Sequence, residues 1–192
     1  MSTTSSALHY ASRAEYHRWA GAQPRGRYER VDGHVVAMAP ERAGHNRLKT
    51  AAWLILRQEI AAAGIACEAL IDGIAVEVGD ATDYQPDVVV SCGERMKNDA
   101  VAAPNPVIVV EVLSPSTRSI DTTRKLADYF TVPSVHHYLI LFTDRQQAVH
   151  HRRISETCGI ATRIVPAGRI RFDPPGIAIS VEDIYREAFG AA

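Results

Sequence analysis

Apolar residues between positions 45 and 63 recur at helical spacing. Leu48, Ala52, Ile55, Leu56 and Ile60 form one stripe, and Gly64 supplies a stop. Ahead of that helix, residues 27–31 and 34–39 are two β-prone runs joined by Asp32-Gly33. This dipeptide suits a tight hairpin because both central positions of the turn take positive φ. A shorter helix is expected over 13–19, with Tyr16 and Trp19 on one side, broken by the Gly and Pro residues of 21–26. Residues 40–44 read as a loop, and the small polar residues 1–12 as a flexible tail.

Further on, the period shortens. Residues 67–78 read as a second strand pair about Asp72-Gly73, and 85–91 as a strand in which Asp87 precedes Val88, Val89 and Val90. The polar stretch 92–103 is expected to be a loop with a short helix. Residues 107–112 are β-branched and apolar on both faces except for Glu111, which places them inside a sheet covered on both sides. Ser114, Pro115, Ser116 and Thr117 bring turn and N-cap chemistry, and open a helix through Arg118, Arg124, Lys125 and Tyr129 that 132–134 ends. An apolar strand over 137–142 follows. Short strands then run to Ile179, with turns at Asp144, Gly159, Gly168 and Pro174-Pro175, before a closing helix over 181–188. This order predicts the α+β (α/β) class: a central mixed β-sheet flanked by helices, in a single domain over 13–192.

Composition narrows the reading only slightly. With 21 Lys and Arg against 22 Asp and Glu in 192 residues, no global basic field announces nucleic acid, although a net charge cannot reveal a local basic cleft. Cys67, Cys92 and Cys158 are odd in number, far apart and in no CxxC spacing, so neither a disulfide framework nor a cysteine-rich zinc site is expected and a reducing cytoplasm is the default location. No apolar run approaches the roughly 20 residues of a membrane helix, and residues 1–10 lack the apolar core of a signal peptide.

The candidate chemistry lies in two acids within segments that ought to be buried. By strict alternation Glu111 shares a face with Val107, Val109 and Leu113. An isolated carboxylate there costs several kcal/mol unless a cation, a metal or strong hydrogen bonds meet it. Asp87, after Pro86, opens a neighbouring strand. Two carboxylates at adjacent strand ends can hold a hard divalent cation, and a lysine nearby can stabilise charge growing on a phosphate. Read from the residues alone, the same features also fit a strand-opening Pro-Asp, a salt-bridged glutamate, and a Lys125 paired with Asp121 on the helix surface. His136-His137 and His150-His151 do not make a metal site, because neighbouring strand residues point to opposite faces. Alternating Arg152, Arg153, Arg163, Arg169 and Arg171 fit DNA backbone contacts or a solvated sheet face equally well.

QPDVVV, then VIVVEVLSPSTRSIDTTRKLADYF, then HHYLILF resemble the Uma-two family of restriction endonucleases, within the PD-(D/E)xK nuclease superfamily. RYERVDGHVVAMAPERAGHNRL is similar to the family's opening hairpin and the His-bearing start of its first core helix, so the resemblance spans roughly 13–185. It implies a restriction-endonuclease-like core and a magnesium-dependent phosphodiesterase site, with Mn²⁺ as a substitute. Carried over by residue, Asp87 and Glu111 become the two acids and metal ligands, the Val112 carbonyl a further ligand, and Lys125 the catalytic lysine. The superfamily's usual lysine position is here Leu113, a departure that the helix-borne Lys125 makes good. Glu29 and His45 also match family positions: Glu29 as an outer metal ligand or else a solvent-facing strand glutamate, His45 as a residue that caps or orients the site or else a local hydrogen-bonding residue at the helix start. Gln85, two residues before Asp87, can share its face and hold a water, and Arg124 is a cation on the substrate side.

The function expected from this is a divalent-metal-dependent endonuclease hydrolysing DNA phosphodiester bonds, in the cytoplasm, with DNA as partner, no membrane, and a homodimer as the assembly to test for. Two alternatives remain at this point. One is a nucleic-acid-binding or scaffold protein that keeps the nuclease fold with little turnover; the other is a metal-dependent hydrolase of another phosphoester.

Overall fold

A computed structural model describes residues 12–114, 121–154 and 159–190, together with the backbone alone at 121 and 122. The expected tail therefore lies outside the described residues apart from Ser12, and so do Pro115, Ser116 and Thr117. Ser12 caps α1 (Arg13–Gly21) in a reciprocal capping box with Glu15. β1 (Tyr28–Val31) and β2 (His34–Ala37) form the expected hairpin, with Asp32 at φ 51° and Gly33 at φ 79°. α2 (Ala43–Ala63) ends at Gly64 in the left-handed conformation and buries Leu48, Ala52, Leu56 and Ile60 of the predicted stripe, whereas Ile55 is half-buried at its edge.

The expected strand pair over 67–78 is not a pair. β3 (Cys67–Ile71) lies beside β6 (Val88–Cys92), whereas β4 (Val76–Val78) lies beside β5 (Thr82–Tyr84) in a different sheet. Asp72 and Gly73 do make a positive-φ turn. The residues after it carry the chain away, and Ala75 bridges Ala102 rather than β3. β5 escapes sequence reading because three residues are too few to show a period. No helix forms over 92–103; that stretch is turns and extended chain. The cysteine expectation is also corrected: Cys67 and Cys92 form a disulfide, being register partners on β3 and β6 with Cα atoms 3.9 Å apart. Their separation of 25 residues in sequence hides that adjacency.

The main sheet has six strands in the order β10-β9-β8-β7-β6-β3, where β7 is Pro106–Leu113, β8 His137–Phe142, β9 Ala148–Arg153 and β10 Ile160–Val165. Its neighbours are antiparallel except β7 and β8, so it is mixed. A parallel pair needs a crossover, and α3 (Asp121–Tyr129) lies within it. On one face, α2, α4 (Val181–Phe189) and the ribbon β11 (Arg169–Phe172)–β12 (Ile177–Ser180) cover Val88, Val110, Leu139 and Leu141. On the other, Val89, Val109, Tyr138 and Ile140 pack with Tyr84 and Tyr129. The second sheet, β2-β1-β5-β4, carries the hairpin. Among the described residues no helix is long and apolar enough to cross a membrane.

His137 is hydrogen-bonded to His150 on the adjacent strand, Nδ1 to Nε2 at 3.0 Å. Its Nε2 lies 2.9 Å from the Pro174 carbonyl. A carbonyl only accepts, so Nε2 carries the proton, the neutral ring's Nδ1 accepts, and His150 Nε2–H donates to it. Burial pushes His137 down to about 3, with His150 adding to the shift, and burial followed by Arg152 pushes His150 down to about 4. Unfolded histidines protonate near pH 6.5, so the neutral pair's stabilisation is complete above that pH and is lost as pH falls towards 4 and 3. Each histidine contributes up to about 1.4 kcal/mol per pH unit in that window. Melting temperature is therefore expected to drop between pH 7 and pH 5 more steeply in the wild type than in His150→Gln. Parallel slopes would show that the pair does not titrate in this way.

Candidate active site

The antiparallel register Val88↔Val110 between β6 and β7 sets residue 87 beside the end of β7. There the Val112 N–H donates to Asp87 Oδ2 at 2.7 Å. Glu111 belongs to the face carrying Val109 and Leu113, the α3 side of the sheet. Both acids are buried, at 4% and 7% exposure, so the sequence expectation of two buried carboxylates on adjacent strand ends describes the geometry.

Lys125 is also buried, and its Nζ sits 3.1 Å from Glu111 Oε1 and 2.9 Å from Glu29 Oε1. The crossover through α3 returns it to the strand end although 14 residues of chain separate it from Glu111. It is not an exposed helix-surface lysine. Nor does Glu29 face solvent: it is 5% exposed, and its Oε1 also accepts the Gln85 backbone N–H at 3.0 Å. Gln85 thus contributes its main chain to this contact. One turn beyond Lys125, the Tyr129 hydroxyl donates to Glu111 Oε1 at 2.9 Å. The Lys125 ammonium lies 5.0 Å from the centre of the Tyr84 ring. Arg124 turns away, bonded to Asp32 at 2.7 Å and Asp128 at 3.4 Å, and does not line the cleft.

Burial pushes the Glu111 carboxyl up to about 7; Lys125 opposes the shift, while Asp87 and Glu29 add to it. Among the described residues, the buried carboxylates Asp87, Glu111 and Glu29 gather here, with Lys125 against two of them and His45 against the third. Oxygen donors grouped in this way suit a hard divalent cation.

The opposite wall comes from α2 and the loop before it. His45 Nε2 lies 3.3 Å from Asp87 Oδ2. Burial opposes its protonation, but the Asp87 hydrogen bond and the charges of Asp87 and Glu41 outweigh that and raise its pKa. Glu41 accepts from Arg27 and Lys49, and Lys49 also reaches Asp72 at 2.7 Å. Glu41, His45 and Asp87 offer ligand atoms within 4.8 Å of one another. His17, Glu77 and Asp83 do so elsewhere, but both Asp83 oxygens already hold guanidinium groups, from Arg13 and Arg30. Sequence reading missed Glu41, Lys49 and Tyr129. The available signals were spacing: Lys49 is one turn after His45, and Tyr129 one turn after Lys125.

These walls enclose a cleft of about 270 Å³, lined by Glu29, Glu41, Arg42, His45, Asp87, Glu111, Val112, Leu113 and Lys125 among others. Its floor is the end of a mixed sheet, its walls the start of α2 and the crossover helix, and its chemistry acids with a lysine. The fold, with a family match over most of the chain, is that of the restriction-endonuclease-like class. Residues 13–178 match the family model Uma2, described as "Putative restriction endonuclease", and the chain belongs to that family. The crystal structure of a "putative nuclease belonging to DUF820" from Anabaena variabilis has the same fold, with a TM-score of 0.69 over 94% of this chain and 100% of that one at 14% identity. Two uncharacterized proteins of Synechocystis sp. are also similar. One, slr1290, is 25% identical over 90% of each chain; the other, sll1609, is 26% identical over 71% of this chain and 78% of its own.

Proposed function

We propose that the chain is a divalent-metal-dependent endonuclease that hydrolyses DNA phosphodiester bonds with a PD-(D/E)xK-type site. The observation that carries the reading is Lys125 lodged against Glu111 while Asp87 sits at the adjoining strand end. The grouped carboxylate oxygens suit Mg²⁺, with Mn²⁺ as substitute, and Asp87 and Glu111 would hold it with the Val112 carbonyl as a further ligand. Bound there, such an ion supplies Lewis-acid polarisation of a phosphoryl oxygen and a more acidic water. Lys125 offers its ammonium to the charge that grows on the phosphate, and Glu29 keeps that ammonium in place. His45, bonded to Asp87, orients that carboxylate and holds a proton on the same wall. Arg42, exposed on the cleft rim, is available to a phosphate backbone.

Incubation of mixed single- and double-stranded DNA with Mg²⁺ or Mn²⁺, and with chelator, tests the reading. Cleavage in the metal arms alone is expected. DNA binding should weaken with salt on a log–log plot, with a modest slope given the net charge of −1. Salt-dependent binding without cleavage would point to a scaffold that keeps the fold. No binding, with turnover of a small phosphoester, would point to another hydrolase.

A further inference from the structure

We infer that Tyr129 is a positioning residue for Glu111: with Lys125 it donates to a single carboxylate oxygen and so fixes how that acid is presented to the cleft. This rests on the metal-dependent reading above. Lys125 and Tyr129 are four residues apart on α3, hence on one helix face. Their polar atoms converge on Glu111 Oε1, at 3.1 and 2.9 Å. Turning the carboxylate about its terminal bond would break both contacts in a buried setting, where a hydrogen bond to a charged group is worth more than one between neutral groups.

The tyrosine is itself held. It is fully buried, with the Tyr84 and Tyr138 rings tilted against it at 5.4 and 5.2 Å. A phenol beside an acceptor-only carboxylate donates its O–H to it, and here that bond is 2.9 Å long. A buried donor whose ring is packed between two others presents the acid in one orientation before any ligand arrives. Outer partners of this kind typically contribute about 10- to 100-fold to metal affinity.

Calorimetric titration of the full chain with Mn²⁺ tests the inference. Tyr129→Phe removes one oxygen from the same packed shape and is expected to weaken Mn²⁺ binding about tenfold. Tyr129→Met, an adaptable filler without an oxygen donor, should show the same loss if the Phe variant folds poorly. Tyr185→Phe is the structural control. It loses a buried hydroxyl that bonds Phe142 and Gln147 away from the cleft, and is expected to lower the melting temperature without changing Mn²⁺ affinity. In a Glu111→Ala background, Tyr129→Phe should have no further effect on affinity. Wild-type affinity in Tyr129→Phe, or equal weakening in Tyr129→Phe and Tyr185→Phe, overturns the positioning role alone. A wild type that binds no Mn²⁺ overturns the metal-dependent reading and this inference with it.

Discussion

Asp87→Asn is expected to abolish the gain in melting temperature that Mg²⁺ or Mn²⁺ gives the wild type, and to cut metal-dependent cleavage by about a hundredfold or more. The substitution is mild for the fold. Asp87 Oδ2 accepts the Val112 N–H, and an asparagine oxygen can accept the same bond. What disappears is the negative charge, and with it one of the two acids assigned to the ion. A ligand at 100 times its Kd stabilises a folded protein by about 2.7 kcal/mol, so the wild-type gain should be readable as a shift of several degrees. The unliganded mutant should melt close to the unliganded wild type, because the strand-to-strand bond remains. If Asp87→Asn still gained as much from metal as the wild type, Asp87 would not be a ligand and the site would have to be rebuilt around Glu111 and Glu29.

What the sequence disclosed and what it hid follow from the range of the forces involved. The hairpin at Asp32-Gly33 and the helix ending at Gly64 are specified within a few residues, by positive-φ positions that Asp and Gly tolerate. The apolar run of β7 betrayed its own burial, and the single acid within it marked the site. Pairing beyond a hairpin was not legible. β3 and β4 flank a good turn, yet each finds its partner elsewhere, and the Cys67–Cys92 bond depends on that non-local pairing. The same limit hid the residues that back the cleft wall. Lys49 lies within the apolar stripe of α2 and is buried because Glu41 and Asp72 come to meet it from other segments. From its strand alone Glu29 reads as an ordinary glutamate; only the family resemblance marks it, and the crossover helix brings Lys125 down onto it.

The exchange of lysine positions is the sharper test of the catalytic assignment. Lys125→Ala is expected to lose about a hundredfold in turnover, as removal of one preorganised charge-stabilising group typically does. An ammonium is not a Mg²⁺ ligand, so metal should still bind, weakened to the extent that Lys125 shares with Tyr129 the positioning of Glu111. The mutant leaves Glu29 and Glu111 buried without their shared cation, a loss that can cost about 3–5 kcal/mol. Melting temperature must therefore be read alongside the rate, with metal present to supply compensating charge. Adding Leu113→Lys restores a lysine two residues after Glu111, on the same face of β7 and lining the same cleft. Part of the lost rate should return. The recovery should be incomplete, because Leu113 packs against the core that Tyr129 and Tyr138 share, and a lysine stem there gives up apolar contact. Arg124→Ala supplies the comparison. Its guanidinium pairs with Asp32 and Asp128 outside the cleft, so turnover should change by no more than a few-fold. Should Lys125→Ala cleave at the wild-type rate while Arg124→Ala is inactive, the cation that matters is Arg124, and Lys125 serves only to neutralise the two carboxylates it touches.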